Sequence, residues 1–476
     1  MEADTAAHTT EVAEGETRAP ARARLLEDGR SIWRQMLSFL LPLILGNALQ
    51  SVGQLAGSIV LGRWIGVGAL AAVANFFPVF FLMNSFVIGV GSGASILIGQ
   101  AWGARNYERM RAVMGTTLAF VCLLGTGLAI VSNLLVWDLM RLLGTPQTII
   151  ADSVSYARII FSCLPLLFLY FAYTTFIRGT GDSRTPTLFL GVSTGVNLLL
   201  LPVLVFGWGP APRLGMFGAA WATVLGSTAS LVAMLVYLRL RQHPLQLDSL
   251  VIRHLWIDPR LLGLLLKLGI PSSVNLILVS LSELAVISLV NRYGASATAA
   301  YGAVNQVVSY VQFPAVSLGI TVSIFGAQAI GAGKLERLRR VLRSGVGLNY
   351  LVGGMLVVGV YLFAREILGL FLTDGRTLEI ARELLYITLW GYLVFGHAQV
   401  FAALMRASGV VLWPTTFGIV AIWGVEVPVA YVLSTYTGLG LRGIWLGYPA
   451  AFLANLGMQY LYYRYVWRHK QITRLI

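Results

Sequence analysis

Twelve apolar runs divide this chain of 476 residues, and each is long enough to cross a bilayer. A helical span needs about 20 mostly apolar residues at a rise of about 1.5 Å each. The runs cover 36–61, 69–101, 112–137, 152–178, 186–206, 215–240, 262–291, 297–330, 341–363, 380–406, 412–434 and 442–466. Charged residues make up 11% of the chain and hydrophobic ones 57%. A soluble domain carries roughly 25% charged residues. So few charges cannot cover a water-facing surface, and the solvent is therefore lipid. In hydrocarbon, only helices and closed barrels satisfy every backbone group. Runs such as 116–136 and 345–363 lack the short alternating segments of a barrel. The predicted fold is an all-α polytopic membrane protein of about twelve transmembrane helices. The second and eighth runs exceed an ordinary span, which predicts tilt, a break or extension into a turn.

The formal net charge of +14 does not indicate nucleic-acid binding, because the basic residues gather in alternate loops. Arg105, Arg109, Arg111, Arg178, Arg184, Arg239, Arg241, Lys334, Arg337, Arg339 and Arg340 fall on one side. The polar segment 1–34, with five arginines, and the C-terminal Arg468, Lys470 and Arg474 share it. Retention of Arg and Lys on the cytoplasmic side then predicts both termini there. The segment 1–34 is expected to be a disordered cytoplasmic tail rather than a secretory signal. Cys122 and Cys163 lie in apolar runs and give neither metal spacing nor a disulfide framework.

An internal repeat organises the rest. Shifted by 228 residues, Asn47 meets Asn275, Gly66 meets Gly294, and Ala69 meets Ala297. Gln100, Gly103, Glu108 and Arg109 meet Gln328, Gly331, Glu336 and Arg337, while Arg178, Gly181 and Pro186 meet Arg406, Gly409 and Pro414. Chance matches would not keep one register over half a chain. The predicted units are a tail at 1–34, a first lobe at 35–245 and a second lobe at 246–476. Each lobe holds six spans, so both have the same orientation and are related by an axis along the membrane normal. A path between two such lobes can open to either side by rocking. A duplicated scaffold with a static function, such as a channel, is the alternative.

The segment Arg178-Gly179-Thr180-Gly181-Asp182-Ser183-Arg184-Thr185-Pro186 closely resembles the inter-helix motif of the MATE (multidrug and toxic compound extrusion) transporters. Its second-half echo is Arg406-Ala407-Ser408-Gly409, followed by Pro414. Gly99-Gln100-Ala101-Trp102-Gly103-Ala104, Gly218-Ala219-Ala220-Trp221 and Gly440-Leu441-Arg442-Gly443 also match. The resemblance covers the chain from about 38 to 465. It implies two six-helix lobes around a V-shaped cavity. It implies export of cationic, amphipathic drugs and toxins, coupled to inward movement of protons or sodium ions. Read from its residues alone, the motif is an elbow. Gly179 and Gly181 can leave a helix in left-handed geometry, Thr185 can cap the next helix, and Pro186 suits its first position.

A charge at the centre of a span costs about 2.5–3.5 kcal/mol, so it calls for a function. Glu283 on the seventh run and Glu426 on the eleventh are the carboxylates best placed for one, with His397 on the tenth. An ionised carboxylate in a low-dielectric cavity can relieve its cost by binding a proton, or with other oxygens a sodium ion. Alternatively, a neighbouring hydroxyl satisfies it. The family resemblance implies a seventh-span glutamate that aligns at Val279, one turn before Glu283. It also implies first-lobe aspartates where this chain has Gly57 and Leu201. Ion coupling through Glu283, Glu426 and His397 is therefore expected in the second lobe. Amides within spans either join helices or line a cavity. Asn47 with Gln54, two turns apart on one face, and Asn197, Asn275 and Asn305 are the cavity candidates.

The expectation is a secondary active antiporter exporting cationic or amphipathic small molecules by alternating access. The other transporter reading is a lipid-linked or polysaccharide flippase of a related two-lobed fold, which would favour a basic cavity. No HExxH, Walker loop or plausible triad suggests an enzyme. The expected setting is multi-pass in a bacterial inner membrane, as a monomer. The expected partners are a small-molecule substrate and membrane lipid, without nucleic acid. No cofactor is expected beyond the coupling ion.

Overall fold

The computed structural model describes residues 31–209, 212–248, 251, 255 and 257–476, and contains no strand among them. The first lobe is built from α1 (Ile32–Ile65), α2 (Val67–Gly103), α3 (Tyr107–Leu142), α4 (Ile150–Ser162 with Leu164–Gly179), α5 (Arg184–Phe206) and α6 (Met216–Leu240). The second is built from α7 (Pro259–Asn291), α8 (Ala295–Gly331), α9 (Glu336–Leu362), α10 (Gly375–Ala407), α11 (Leu412–Tyr436) and α12 (Leu441–Tyr465). Ten of these, and the bent α4, have the length and apolarity of a membrane span. The exception is α12. It is 25 residues long, but Arg442, Gln459 and its tyrosines dilute its apolar content.

Most of the predicted tail lies outside the described residues. The helix already begins at Ile32, so residues 32–34 belong to α1 rather than to the tail. Ile32 and Trp33 are apolar, and Arg34 can extend its head toward water. The two long runs, α2 and α8, are single helices of 37 residues each. Instead α4 breaks, bending by 52° between Ser162 and Leu164. Pro165 explains this, since it cannot donate a helical hydrogen bond.

The elbow after α4 also differs from expectation. Only Gly181 is left-handed, at φ 88°, while Gly179 remains helical. Asp182 caps α5 in place of Thr185: its Oδ1 accepts from the Arg184 N–H at 2.9 Å and the Thr185 N–H at 3.1 Å. An ionised side chain is the stronger acceptor there. Pro186 consequently sits at the third helical position.

The repeat is visible in the backbone. Positive φ occurs at Gly66 and Gly294, at Gly181 and Gly409, and at Arg105 and Gly333, each pair 228 residues apart. The lobes meet at the end carrying the Arg-rich loops, here called the basic end. There α2 crosses α8 so closely that a Cβ on Gly103 would overlap the Gln328 backbone, and one on Gly331 the Gln100 backbone. The Gln100 side-chain amide donates to the Ala407 carbonyl at 2.8 Å, and that of Gln328 to the Gly179 carbonyl at 3.0 Å. These two bonds are repeat images of each other, and both cross between the lobes.

Further from the basic end, Asn47 of α1 donates to Ser317 of α8 at 3.0 Å. Ser317 precedes Gly331 by 14 residues, or about 21 Å of helix. The contacts between the lobes therefore extend over about 21 Å of a helix roughly 55 Å long. Beyond them the two crossing helices carry exposed Leu82, Phe86, Tyr310 and Val316. The interlobe contacts named here thus gather toward the basic end.

The linker after α6 lies against the first lobe. Arg111 pairs with Asp248 at 3.4 Å, and the ring of His243 stacks on Trp102 with centroids 6.4 Å apart. The Leu245 N–H donates to His243 Nδ1 at 3.2 Å, so the docked ring is neutral. Burial pushes His243 down to about 4, partly offset by the charge of Asp182.

Two outcomes follow. Gly103→Val or Gly331→Val opposes closure at the basic end by about 1–3 kcal/mol of overpacking; interlobe distances by spin-label spectroscopy will lengthen at that end only. Because the folded pKa of His243 is depressed, its docking contribution is complete above about 6.5 and declines as pH falls toward about 4. Proteolysis at the linker will therefore accelerate on acidification through that window. In His243→Gln that pH dependence will be absent, and its persistence would contradict the docking role.

Candidate functional site

Glu426 sits in a short π-helical stretch of α11, Val420–Glu426, followed by Pro428. A wider turn of this kind redirects side chains within a helix and is frequent at functional sites. The residue is 5% exposed, which makes it the most enclosed carboxylate among the described residues. An unpaired buried charge costs far more than a hydrogen-bonded neutral group. Its neighbours decide what the carboxylate can do.

Glu283 of α7 interacts electrostatically with Glu426. Tyr392 of α10 and Tyr448 of α12 lie in the field of Glu426, and Tyr301 of α8 in the field of both carboxylates. The Tyr301 and Tyr448 hydroxyls share a hydrogen bond of 2.8 Å, and the Tyr301 ring stacks on Trp445. Asn305 lies one turn from Tyr301 on the same helix. Counting residues to the non-basic end of each helix places Glu283 about 12 Å, Glu426 about 15 Å and Tyr301 about 9 Å deep. Glu283, Glu426 and Tyr301 thus lie at similar depths on three helices of the second lobe. Glu283 is exposed and Glu426 is not, so the pair joins the accessible surface to the lobe interior.

Tyr392 also lines a small cleft with Val311, Pro314, Asn349 and Leu393, and Leu40 reaches it from the first lobe. Asn349 closes this cleft by donating to the Leu393 carbonyl at 2.9 Å.

The other sequence candidates lie elsewhere. His397 accepts or donates a 2.9 Å hydrogen bond with Tyr350 of α9 and stacks on Phe401. It belongs to the α9–α10 contact and not to the carboxylate cluster. Asn197 donates to Thr223 of α6 at 3.1 Å and joins two helices of its own lobe. Asn47 spans the lobes through Ser317, as described, while Gln54 is exposed two turns further along α1. Asn275 lies against Gly418 of α11, where a Cβ would stand 3.1 Å from its amide nitrogen. In the first lobe, Leu201 is 2% exposed, so hydrocarbon fills the place where the resemblance implied an aspartate.

Sequence reasoning missed the three tyrosines, which nothing distinguishes among the 19 in the chain. It read Gln100 only as one of several amides that could join helices, and left Gln328 without a role. Their signal was available, because the pattern Gln-x-x-Gly survives in both halves. The structure predicts that Asn197→Val lowers stability by about 0.6 kcal/mol, the mean for such bonds in membranes, and leaves transport unchanged. A thermal melt beside a transport assay checks this, and loss of transport in the folded variant would make Asn197 a cavity residue after all.

Comparison with known proteins is consistent with this geometry. The sequence model of the MatE family matches residues 42–203 and 271–432, one match per lobe. The chain is 60% identical over 446 residues to a protein of Bacillus subtilis (strain 168) named probable multidrug resistance protein YoeA, covering 94% of this chain and 96% of that one. It is 25% identical over 442 residues to the probable multidrug resistance protein NorM of Thermotoga maritima, covering 92% and 93%. A solved structure described as the outward-facing conformation of a multidrug resistance MATE family transporter superposes with a TM-score of 0.85 at 21% identity, covering 93% of this chain and 97% of that one. With both halves matched and twelve helices in two lobes, this chain belongs to the MatE family of multi-pass membrane transporters.

Proposed function

We propose that this protein is a secondary antiporter that exports cationic or amphipathic small molecules in exchange for a proton taken up at the Glu283–Glu426 cluster. The buried Glu426 carries the reading. A carboxylate buried in the lobe interior is tolerated when protonated and costly when ionised. A transported cation in the cavity favours the ionised form, and proton uptake favours its release. This gives two ligands opposing effects on one site, which is the minimum for exchange. The names of the relatives, which refer to multidrug resistance, support the class of substrate.

With the basic end in the cytoplasm, as the retention of Arg and Lys predicts, the form described here opens outward. Release to the outside and proton entry would take place in this form. The opposite form, with the basic end open, would load substrate. Tyr301, Tyr392 and Tyr448 hold the carboxylate layer in place across the change, because they belong to the same lobe as Glu426. Exposed amides such as Gln54 and Gln306 offer neutral polar contacts in the cavity. A flippase for phosphate-linked lipids would instead require cations there.

Reconstituted protein tests the reading. In proteoliposomes loaded with a fluorescent monovalent cation, an imposed proton gradient will drive export by the wild type. Glu426→Gln and Glu283→Gln will fold but lose the acceleration by the gradient. Gradient-driven export that is unchanged in Glu426→Gln would remove the cluster from the coupling mechanism. Acceleration by a sodium gradient alone would keep the cluster but replace the ion. Movement of neither cation nor drug under any gradient would favour the flippase reading.

A further inference from the structure

We propose that residues 470–476 form a strap that holds the basic ends of the two lobes together, and that its release accompanies opening of that end. The segment follows α12 through a short turn, Trp467–His469. Trp467 is 4% exposed, stacks on Tyr463 with centroids 5.3 Å apart, and donates to the Ser408 hydroxyl at 2.8 Å. Ser408 lies in the turn between α10 and α11, so the root of the strap is fixed to the second lobe.

The strap then continues without helix or strand and packs Ile472, Leu475 and Ile476 against the core that both lobes share. The Leu475 side chain covers Gly409 in the same α10–α11 turn, and the Arg474 guanidinium lies by Gly333 in the α8–α9 turn. The backbone N–H of Leu475 donates to Gln100 Oε1 at 2.8 Å. Gln100 belongs to α2, so this bond crosses to the first lobe. The other end of the same amide already donates to Ala407 across the lobes. One side chain thus ties α2 both to α10 and to the strap, and parting the lobes breaks both bonds together.

Chain ends are ordered only where something holds them. Here the apolar spacing of Ile472, Leu475 and Ile476 matches the surface on which they rest. The strap also breaks the pseudo-symmetry. The corresponding segment of the first lobe is the linker after α6, and Arg111 with Trp102 hold it on its own lobe. Closure at the basic end is therefore assisted from the second lobe alone.

The inference rests on the alternation of the two ends proposed above, and a distance measurement separates the two ideas. Spin labels at Glu108→Cys and Glu336→Cys, with Cys122 and Cys163 replaced by Ser, report the basic-end separation in lipid nanodiscs. Leu475→Pro removes the N–H donor, and truncation after Lys470 removes the strap. The loss of one hydrogen bond raises the population with a long distance by about fivefold, and truncation raises it further. A wild type that opens on acidification or on cation binding, with both monodisperse variants showing unchanged populations, would overturn the strap and leave alternation intact. No long distance in any variant or condition would overturn both.

Discussion

Helices in lipid gain little from burying apolar faces against one another, because the acyl chains are as apolar as the side chains. What holds two lobes together must then be close backbone approach and hydrogen bonds. At the basic end, α2 and α8 provide both. Gly103 and Gly331 let each helix rest on the backbone of the other, and Gln100 and Gln328 reach carbonyls across the crossing. The remaining architecture depends on this contact. Where it is made, the lobes are sealed; where it ends, near Asn47 and Ser317, they part into a cavity. A contact made of a few bonds and closely packed glycines, with Gly89 and Gly269 joining α2 to α7 as well, is also one that can be broken, which suits a protein whose two ends must open in turn.

The scaffold is symmetric, but its electrostatics are not. Repeat images of Glu283 and Glu426 are Leu55 and Leu198, and the first lobe places buried Leu201 and open Gly57 where acids were implied. In the second lobe, Tyr301, Tyr392 and Tyr448 lie in the field of Glu426. A titrating site confined to one lobe can change the packing of that lobe while the other remains passive. The strap on the same lobe adds to this asymmetry at the opposite end of the molecule.

Most of the spans, the two lobes and the basic end were legible in the sequence because lipid imposes length, apolarity and loop charge directly, and α12 alone falls short of a span in apolarity. The break in α4 and the cap of α5 were less so, since Pro165 and Asp182 act through local geometry that a hydropathy pattern does not contain. Site residues were partly legible. Glu283 and Glu426 stood out because a charge within a span needs a reason, yet nothing in a spacing of 143 residues shows that they interact electrostatically. Asn197 and Asn47 have the same chemistry in similar runs, and only the structure separates a bond within a lobe from one between lobes. His397 shows the limit most clearly: a histidine within a span reads as a proton carrier, but here it packs with Tyr350 and Phe401 away from the acids.

The central claim is that substrate and proton compete through Glu426. Proton release on binding tests it most directly, using purified protein in weak buffer and a pH-sensitive dye. Addition of a transported monovalent cation to the wild type should release protons in proportion to the sites filled, and Glu426→Gln should bind the cation without releasing them. Equal release from the variant, or binding to the wild type with no release at any pH, would contradict the account.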